Sequence, residues 1–143
     1  MTMETATESI RANGDGAIVM VDDSLDDFYI ADLMYARCEL ENDFVQCESG
    51  DALMQYLDRV TERGETQPAL ILMDLNMPGM DGIETTALLR SREEFHSVPV
   101  IAMLTSSVDR HDRQRAETAG ANACFSKPLN PTDYIALFNS FAS

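Results

Sequence analysis

The sequence has few cysteines, little positive charge and no long hydrophobic run, and each shortage excludes a class of protein. Its three cysteines form no C-x-x-C pair, which excludes a cysteine zinc site or a dithiol redox motif, and we interpret them as reduced, buried thiols. No run of about 18 apolar residues occurs, and the N-terminus lacks the apolar core of a signal peptide. We therefore expect a cytoplasmic protein that is neither exported nor inserted into a membrane.

Positive charge is scarce because 10 Lys and Arg residues face 25 Asp and Glu residues, which gives a net charge of -15 at pH 7. A surface this acidic repels the phosphate backbone of nucleic acids and anionic membrane surfaces. The composition therefore predicts neither a nucleic acid nor a membrane as partner. Two explanations of the acidity stay open, a saline habitat and a basic partner protein.

The length of 143 residues is that of one ordinary domain, and 45% hydrophobic with 24% charged residues is typical of globular proteins. Residues 1–16 are small and polar and end in Asn13-Gly14-Asp15-Gly16, so they offer a core little to bury. The sequence predicts a flexible tail over residues 1–16 and one domain over residues 17–143.

Short apolar runs alternate with stretches of helical spacing along that domain. The apolar runs cover residues 17–21, 43–47, 69–73, 98–104 and 123–126. Alternation of this kind favours parallel strands joined by right-handed helical crossovers, with both faces of the sheet covered. The sequence predicts an α/β fold, a doubly wound parallel sheet of five strands with five helices.

Helical spacing also predicts which side chains face the core. The predicted faces are Leu25, Phe28, Tyr29, Leu33 and Ala36; Ala52, Leu53, Tyr56, Leu57 and Val60; Ile83, Ala87 and Leu88; and Ile135, Leu137, Phe138 and Phe141. The stretch from Val108 to Ala119 has few apolar residues, so we expect that helix to be the most weakly packed and the most mobile.

Polar residues follow four of the predicted strands at the point where each strand ends. They are Asp22 and Asp23, Asp74, Thr105 and Ser106, and Lys127. In doubly wound sheets, ligands bind beyond the carboxyl ends of the strands. We therefore expect the functional site at that edge.

The chemistry of these residues predicts a phosphoryl-transfer site. Three crowded carboxylates need a hard cation, for which Mg²⁺ is suited, and Lys127, the only lysine of the chain, is a compact charge for a phosphoryl oxygen. Asp74 would attack phosphorus, with donors at Thr105 and Ser106 taking the remaining oxygens. Simpler explanations stay open. Favourable charges near a helix N-terminus could account for Asp22, Asp23, Asp26 and Asp27. The hydroxyls of Thr105 and Ser106 could instead form hydrogen bonds with the loop backbone.

Four motifs resemble those of a known family. They are Val21-Asp22-Asp23, the run from Leu72 to Gly82, Leu104-Thr105-Ser106 and Ser126-Lys127-Pro128. In this order and spacing they are similar to the receiver domain of two-component response regulators, in the single-domain form typified by chemotaxis regulators. The resemblance covers residues 17–141 and looks closest to the standalone regulators that accompany phytochrome-type kinases. It implies a flavodoxin-like sheet with strand order 2-1-3-4-5.

The resemblance also implies a role for each site residue. It makes Asp74 the phosphoacceptor, Asp23 a direct and Asp22 a water-mediated Mg²⁺ ligand, Asn76 a ligand through its backbone carbonyl, Thr105 the switch hydroxyl and Lys127 the phosphate partner. A cis peptide bond is expected at Lys127–Pro128. Cys124 stands where the family has its aromatic switch residue. The adjacent Phe125 is expected on the opposite face of its strand.

By the same resemblance, the phosphoryl group comes from a sensor histidine kinase or a histidine phosphotransfer protein. The output is then binding to a downstream protein or a phosphorelay, and a homodimer is compatible with it. Such a chain is not an enzyme beyond its own phosphorylation and dephosphorylation. The alternatives are a Mg²⁺-dependent aspartyl-phosphate hydrolase of the haloacid-dehalogenase type, a binding module that has lost phosphorylation, and a flavin-binding domain. Asn76, in place of a second acid, disfavours the first.

Overall fold

The five predicted strands form one parallel sheet with helices on both faces in a computed structural model, which describes residues 10–106 and 109–142. The strands are β1 (Ile18–Val21), β2 (Phe44–Cys47), β3 (Leu70–Asp74), β4 (Ile101–Thr105) and β5 (Ala123–Ser126). The helices are α1 (Leu25–Tyr35), α2 (Gly50–Glu62), α3 (Gly82–Ser91), α4 (Arg110–Ala119) and α5 (Pro131–Asn139), with a 3₁₀ turn over Glu93–Phe95.

The strand order is β2-β1-β3-β4-β5, which confirms the predicted fold. Every residue of β1, β3 and β4 is buried, as expected for strands covered on both faces. Alternate side chains of these strands enter two separate cores. One core also contains residues of α2, α3 and α4, and the other contains residues of α1 and α5.

Cys124 and Phe125 lie on opposite faces of β5, as predicted. Cys124 is buried in the core of α2, α3 and α4. The Phe125 ring packs edge-on against Phe141 in the other core, with the ring centroids 5.7 Å apart.

The buried face of α1 differs from the predicted one. Ala31 and Tyr35 are its buried residues, whereas Leu25, Tyr29 and Leu33 are exposed. The Tyr35 ring stacks on Phe44 at 4.7 Å and meets Phe138 of α5 edge-on at 5.1 Å. Aromatic packing between α1, β2 and α5 therefore sets the rotation of the helix. An apolar stripe is left on the surface.

The predicted face of α3 is also wrong, whereas that of α2 is confirmed by the burial of Leu53, Leu57 and Val60. In α3 the side chains of Thr85, Thr86 and Leu89 are buried, and Ala87 and Leu88 are exposed. The Thr85 hydroxyl donates to the carbonyl of Asp81 at 2.7 Å. This threonine can be buried because its own helix satisfies its hydroxyl.

The weak packing predicted for the fourth helix is confirmed, because Ala116 is the only buried residue that α4 shows in the described part of the chain. The helix begins at Arg110, and Val108 lies outside the described residues. Mobility of this helix stays a prediction.

Among the described residues, contacts with the domain are made from Ile10 onward, seven residues before its predicted start. Ile10 and Ala12 pack against the core of α1 and α5, and the Ala12 N–H donates to the Phe141 carbonyl at 3.0 Å. Residues 1–9, to which the predicted tail also extends, lie outside the described part of the chain.

The cis peptide bond predicted at Lys127–Pro128 is not found. Among the described residues the cis bond is Val98–Pro99, and Lys127–Pro128 is trans. The two isomers of a bond before proline differ little in free energy, so the sequence alone does not choose between them. No described helix has the length and apolar character needed to cross a membrane.

Candidate functional site

The register of the sheet brings the predicted site residues to one edge. Asp74, the last residue of β3, pairs with Leu104, and Thr105 pairs with Ser126. The Lys127 N–H donates to the Thr105 carbonyl at 2.8 Å, which fixes the start of the β5–α5 loop beside the end of β4. Asp22 and Asp23 follow β1, which is the neighbour of β3. The predicted site residues therefore lie together at the carboxyl edge of the sheet. They are Asp22, Asp23, Asp74, Thr105 and Lys127.

A cluster of three carboxylates lies at this edge. One carboxylate oxygen from each of Asp22, Asp23 and Asp74 lies within 4.8 Å of the others. Asp22 and Asp74 are only 1% and 6% exposed, and the Lys127 ammonium lies 2.8 Å from Asp22 Oδ2. Three carboxylates gathered around a single ammonium still leave excess negative charge, which fits a hard divalent cation.

The Asp74 carboxyl is held in surroundings that disfavour its charge. Burial, followed by the charge of Asp22, raises the pKa of Asp74 to about 6, although Lys127 and the Asn76 N–H lower it. That N–H donates to Asp74 Oδ1 at 3.3 Å. At neutral pH the carboxylate is therefore ionised but poorly stabilised until a cation arrives.

Lys127 reaches into the cluster, but its closest partners are not the predicted phosphoacceptor. Its Nζ atom lies 2.8 Å from Asp22 Oδ2, 2.9 Å from Asp27 Oδ2 and 3.7 Å from Asp74 Oδ2. Burial alone would lower the pKa of Lys127, but the contacts with Asp22 and Asp27 outweigh it and raise that pKa above its ordinary value. The ammonium is charged at every physiological pH.

Asp27 is a site residue for which the sequence left open a role as a charge near a helix N-terminus and gave no specific partner. It lies in the first turn of α1, where its N–H donates to the Ser24 hydroxyl at 3.1 Å. Its position in the first turn of the helix that follows Asp22 and Asp23 is the signal that places it near the same edge.

The remaining predicted residues surround this cluster at different depths. Thr105 is buried at the end of β4, Ser106 is exposed, and Asn76 is exposed in the loop after β3. Cys124, at the predicted switch position, is buried, and Arg113 Nη1 of α4 approaches its carbonyl at 3.5 Å.

Gly82 allows α3 to start directly against the end of β3. A Cβ atom at this position would collide with the backbone carbonyl of Asp74. The Gly82 N–H donates to the Leu75 carbonyl at 2.9 Å, and Asp81 caps the helix through a reciprocal bond with Glu84. The backbone of Gly82 therefore packs directly against that of Asp74 and Leu75, which holds together the two ends of the loop between β3 and α3.

Exposed apolar side chains lie on the two segments that frame Lys127. Leu25 and Tyr29 belong to α1, the helix that carries Asp27, and are 61% and 64% exposed. Leu129, two residues after Lys127, is 92% exposed. Both segments that contribute to the contact between Lys127 and Asp27 therefore carry exposed apolar side chains, which are typical of surfaces that bind another protein.

Comparison with known proteins identifies relatives of this arrangement. The model of the response regulator receiver domain matches residues 18–139. The polar-differentiation response regulator DivK of Brucella ovis is 36% identical over 77 residues, 54% of this chain and 62% of DivK. The chain thus spans about 62% of the length of the curated relatives it matches.

Solved structures agree with that match. Response regulator RPA3017, described in red light signaling of R. palustris, is 29% identical with a TM-score of 0.77, and the alignment covers 87% of this chain and 90% of that one. The Mn²⁺-bound form of response regulator Rcp1 is 24% identical with a TM-score of 0.71, covering 86% and 88% of the two chains. The second likeness shows the fold alone.

Proposed function

The chain belongs to the response regulator receiver domain family, and from that membership we propose that Asp74 accepts a phosphoryl group and that the chain signals through the acyl phosphate so formed. The observation that carries the proposal is the position of Asp74. It is a buried carboxylate with a raised pKa, crowded by two further aspartates and 3.7 Å from the only lysine of the chain.

Each residue has a role in the transfer. An Asp74 oxygen forms a bond to phosphorus, the bond from phosphorus to the donor's imidazole nitrogen breaks, and its electron pair stays with the imidazole. Lys127 stabilises negative charge on the phosphoryl oxygens, and donors at Thr105 and Ser106 would take the others. Water later cleaves the acyl phosphate and regenerates Asp74.

A magnesium ion completes the proposed site. Asp22, Asp23 and Asp74 would hold it, together with the backbone carbonyl of Asn76. When bound, Mg²⁺ offsets the charge of the carboxylates and of the phosphoryl oxygens. The all-oxygen donor set supports a hard divalent cation, and Mg²⁺ is the proposed ion because it keeps several waters and needs only one or two protein carboxylates.

The partner proposed as donor is a sensor histidine kinase or a histidine phosphotransfer protein. We propose that it docks on exposed apolar residues of the two segments that contribute Asp27 and Lys127, namely Leu25 and Tyr29 of α1 and Leu129 of the β5–α5 loop. The output is binding to a downstream protein. In catalytic terms the chain accelerates only its own phosphorylation and dephosphorylation.

The test is phosphorylation by acetyl phosphate in the presence of Mg²⁺, followed by mass spectrometry of the intact protein. One added phosphoryl group is expected on the wild-type chain and none on Asp74→Asn. Asp15→Asn is the matched control, since it removes an exposed carboxylate before β1, at the opposite end of the strands.

Two results would contradict the proposal. One is the absence of any added phosphoryl group on the wild-type chain, and the other is full phosphorylation of Asp74→Asn. Steady release of phosphate from phosphomonoesters would instead support the hydrolase alternative.

A further inference from the structure

Lys127 is shared between two elements of the site. Its Nζ atom lies at nearly equal distances from Asp22 Oδ2, at 2.8 Å, and from Asp27 Oδ2, at 2.9 Å, whereas Asp74 Oδ2 is 3.7 Å away. An ammonium group has three donors. Two of its three carboxylate neighbours are thus in direct contact, and the carboxylate to be phosphorylated is the distant one.

Asp27 differs from the other acidic neighbours of Lys127 in its place in the fold. It is not one of the three residues whose carboxylates cluster, and its side chain is 40% exposed, against 20% for Lys127. A cation held by the cluster would take Asp22 oxygen atoms but leave the Asp27 carboxylate to Lys127. Cation binding at the cluster therefore does not require the contact between Lys127 and Asp27 to break.

Resting on the proposed function, we propose that Asp27 is a positioning residue for Lys127, which it holds at the α1 edge of the site in competition with the phosphoryl group on Asp74. A lysine side chain has four flexible torsions, so a second anchor restricts where its ammonium lies. Formation of the acyl phosphate then draws Lys127 away from α1 and toward β3.

Competition between Asp27 and the phosphoryl group for Lys127 couples phosphorylation of Asp74 to α1. Asp27 lies in the first helical turn, which is closed by the bond from its N–H to Ser24. The exposed Leu25 and Tyr29 belong to the same end of the helix. Loss of the contact between Lys127 and Asp27 therefore alters the segment on which a donor protein would dock.

A purely structural role would make Asp27 one more negative charge near a helix N-terminus. Asp26 provides the matched control, because it lies in the same turn, is exposed and makes no ion pair with Lys127 among the described contacts. Asp27→Asn and Asp26→Asn remove the same formal charge at adjacent positions. Any difference between them reports the contact with Lys127.

The experiment uses the single lysine of the chain as a probe. Protein labelled with ¹⁵N,¹³C-lysine gives the side-chain signal of Lys127 alone, and its ammonium protons are observable only while an ion pair protects them from exchange with water. In the presence of Mg²⁺ we expect this signal in the wild-type chain and in Asp26→Asn, and its loss in Asp27→Asn. Asp27→Glu, which keeps the charge, is expected to restore it.

The second arm measures the rate of phosphorylation by acetyl phosphate. Release of Lys127 from an exposed ion pair is expected to speed phosphorylation about two- to fivefold in Asp27→Asn relative to Asp26→Asn. An unchanged Lys127 signal in Asp27→Asn would overturn the inference, and so would equal rates in the two variants. Failure of the wild-type chain to be phosphorylated would instead contradict the proposed function, and the lysine signal distinguishes the two failures.

Discussion

Asp74 combines a nucleophilic position with an unfavourable environment for its charge. The carboxyl is buried, and burial and Asp22 raise its pKa to about 6. A carboxyl with a raised pKa in the folded state binds its proton more tightly there than in the unfolded chain. The resulting stabilisation is complete below the pKa of the unfolded carboxyl, near 3.8, and is lost as the pH rises through about 6. At neutral pH, therefore, the ionised Asp74 destabilises the metal-free fold.

The substitution Asp74→Asn removes that charge while keeping the side-chain shape. Without divalent cations at pH 8, we expect the free energy of unfolding of the variant to exceed that of the wild-type chain by about 2–3 kcal/mol, since a pKa shift of two units corresponds to roughly that amount. The gain is expected to shrink as the pH falls from 7 to 5. Urea unfolding in EDTA at several pH values measures it.

Magnesium provides the control for this prediction. Added Mg²⁺ should stabilise the wild-type chain more than Asp74→Asn, because the variant has lost one carboxylate of the cluster. Equal free energies of unfolding for the two proteins at pH 8 in EDTA would contradict the assigned environment of Asp74. A gain that stayed constant from pH 8 to pH 5 would also contradict it.

Most of the site could be predicted because residues after parallel strands converge on one edge whatever the details of packing. This rule places Asp22, Asp74, Thr105 and Lys127 together from strand positions alone. Asp27 could not be predicted in this way. Its approach to Lys127 depends on the rotation of α1, which is fixed by packing and not by strand order.

At the scale of elements, the strands were predictable and two helix faces were not. Strands covered on both sides are continuous apolar runs, and those of β1, β3 and β4 stand out in the sequence. The helix α1 is apolar around most of its circumference, so helical spacing selects no single face. Its contacts with Phe44 and Phe138 decide the outcome, and Phe138 is distant from α1 in the sequence.

The exposed stripe on α1 leads to a prediction about the donor. If the helix receives the donor protein, Tyr29→Ala removes a large apolar contact from that surface while leaving the phosphoryl-transfer residues in place. We expect transfer from a phosphorylated histidine protein to slow by about 5- to 30-fold, corresponding to about 1–2 kcal/mol. Phosphorylation by acetyl phosphate, which needs no docking, should be unchanged.

Leu88→Ala is the matched control, because Leu88 is also exposed but lies on α3, away from the contact between Lys127 and Asp27. It should change neither rate. Slower phosphorylation of Tyr29→Ala by acetyl phosphate would show that the side chain acts on the site itself. Unchanged transfer from the protein donor would remove α1 from the docking surface.

At the scale of the whole molecule, the net charge of -15 opposes folding. Two like charges 10 Å apart in water repel by about 0.4 kcal/mol, and salt at about 0.1 M screens interactions beyond roughly that distance. Because the unfolded chain spreads its charges apart, the repulsion acts mainly on the folded state. Summed over the surface, it is on the order of several kcal/mol.

We expect potassium chloride to stabilise the protein, with the free energy of unfolding rising on the order of 1–3 kcal/mol between about 0.02 M and 1 M salt. Urea unfolding in EDTA measures it. Asp74→Asn is the control, because it disables the carboxylate cluster, so a salt effect that persists in the variant comes from surface repulsion and not from potassium bound at the site. A free energy of unfolding that is independent of salt would contradict the prediction.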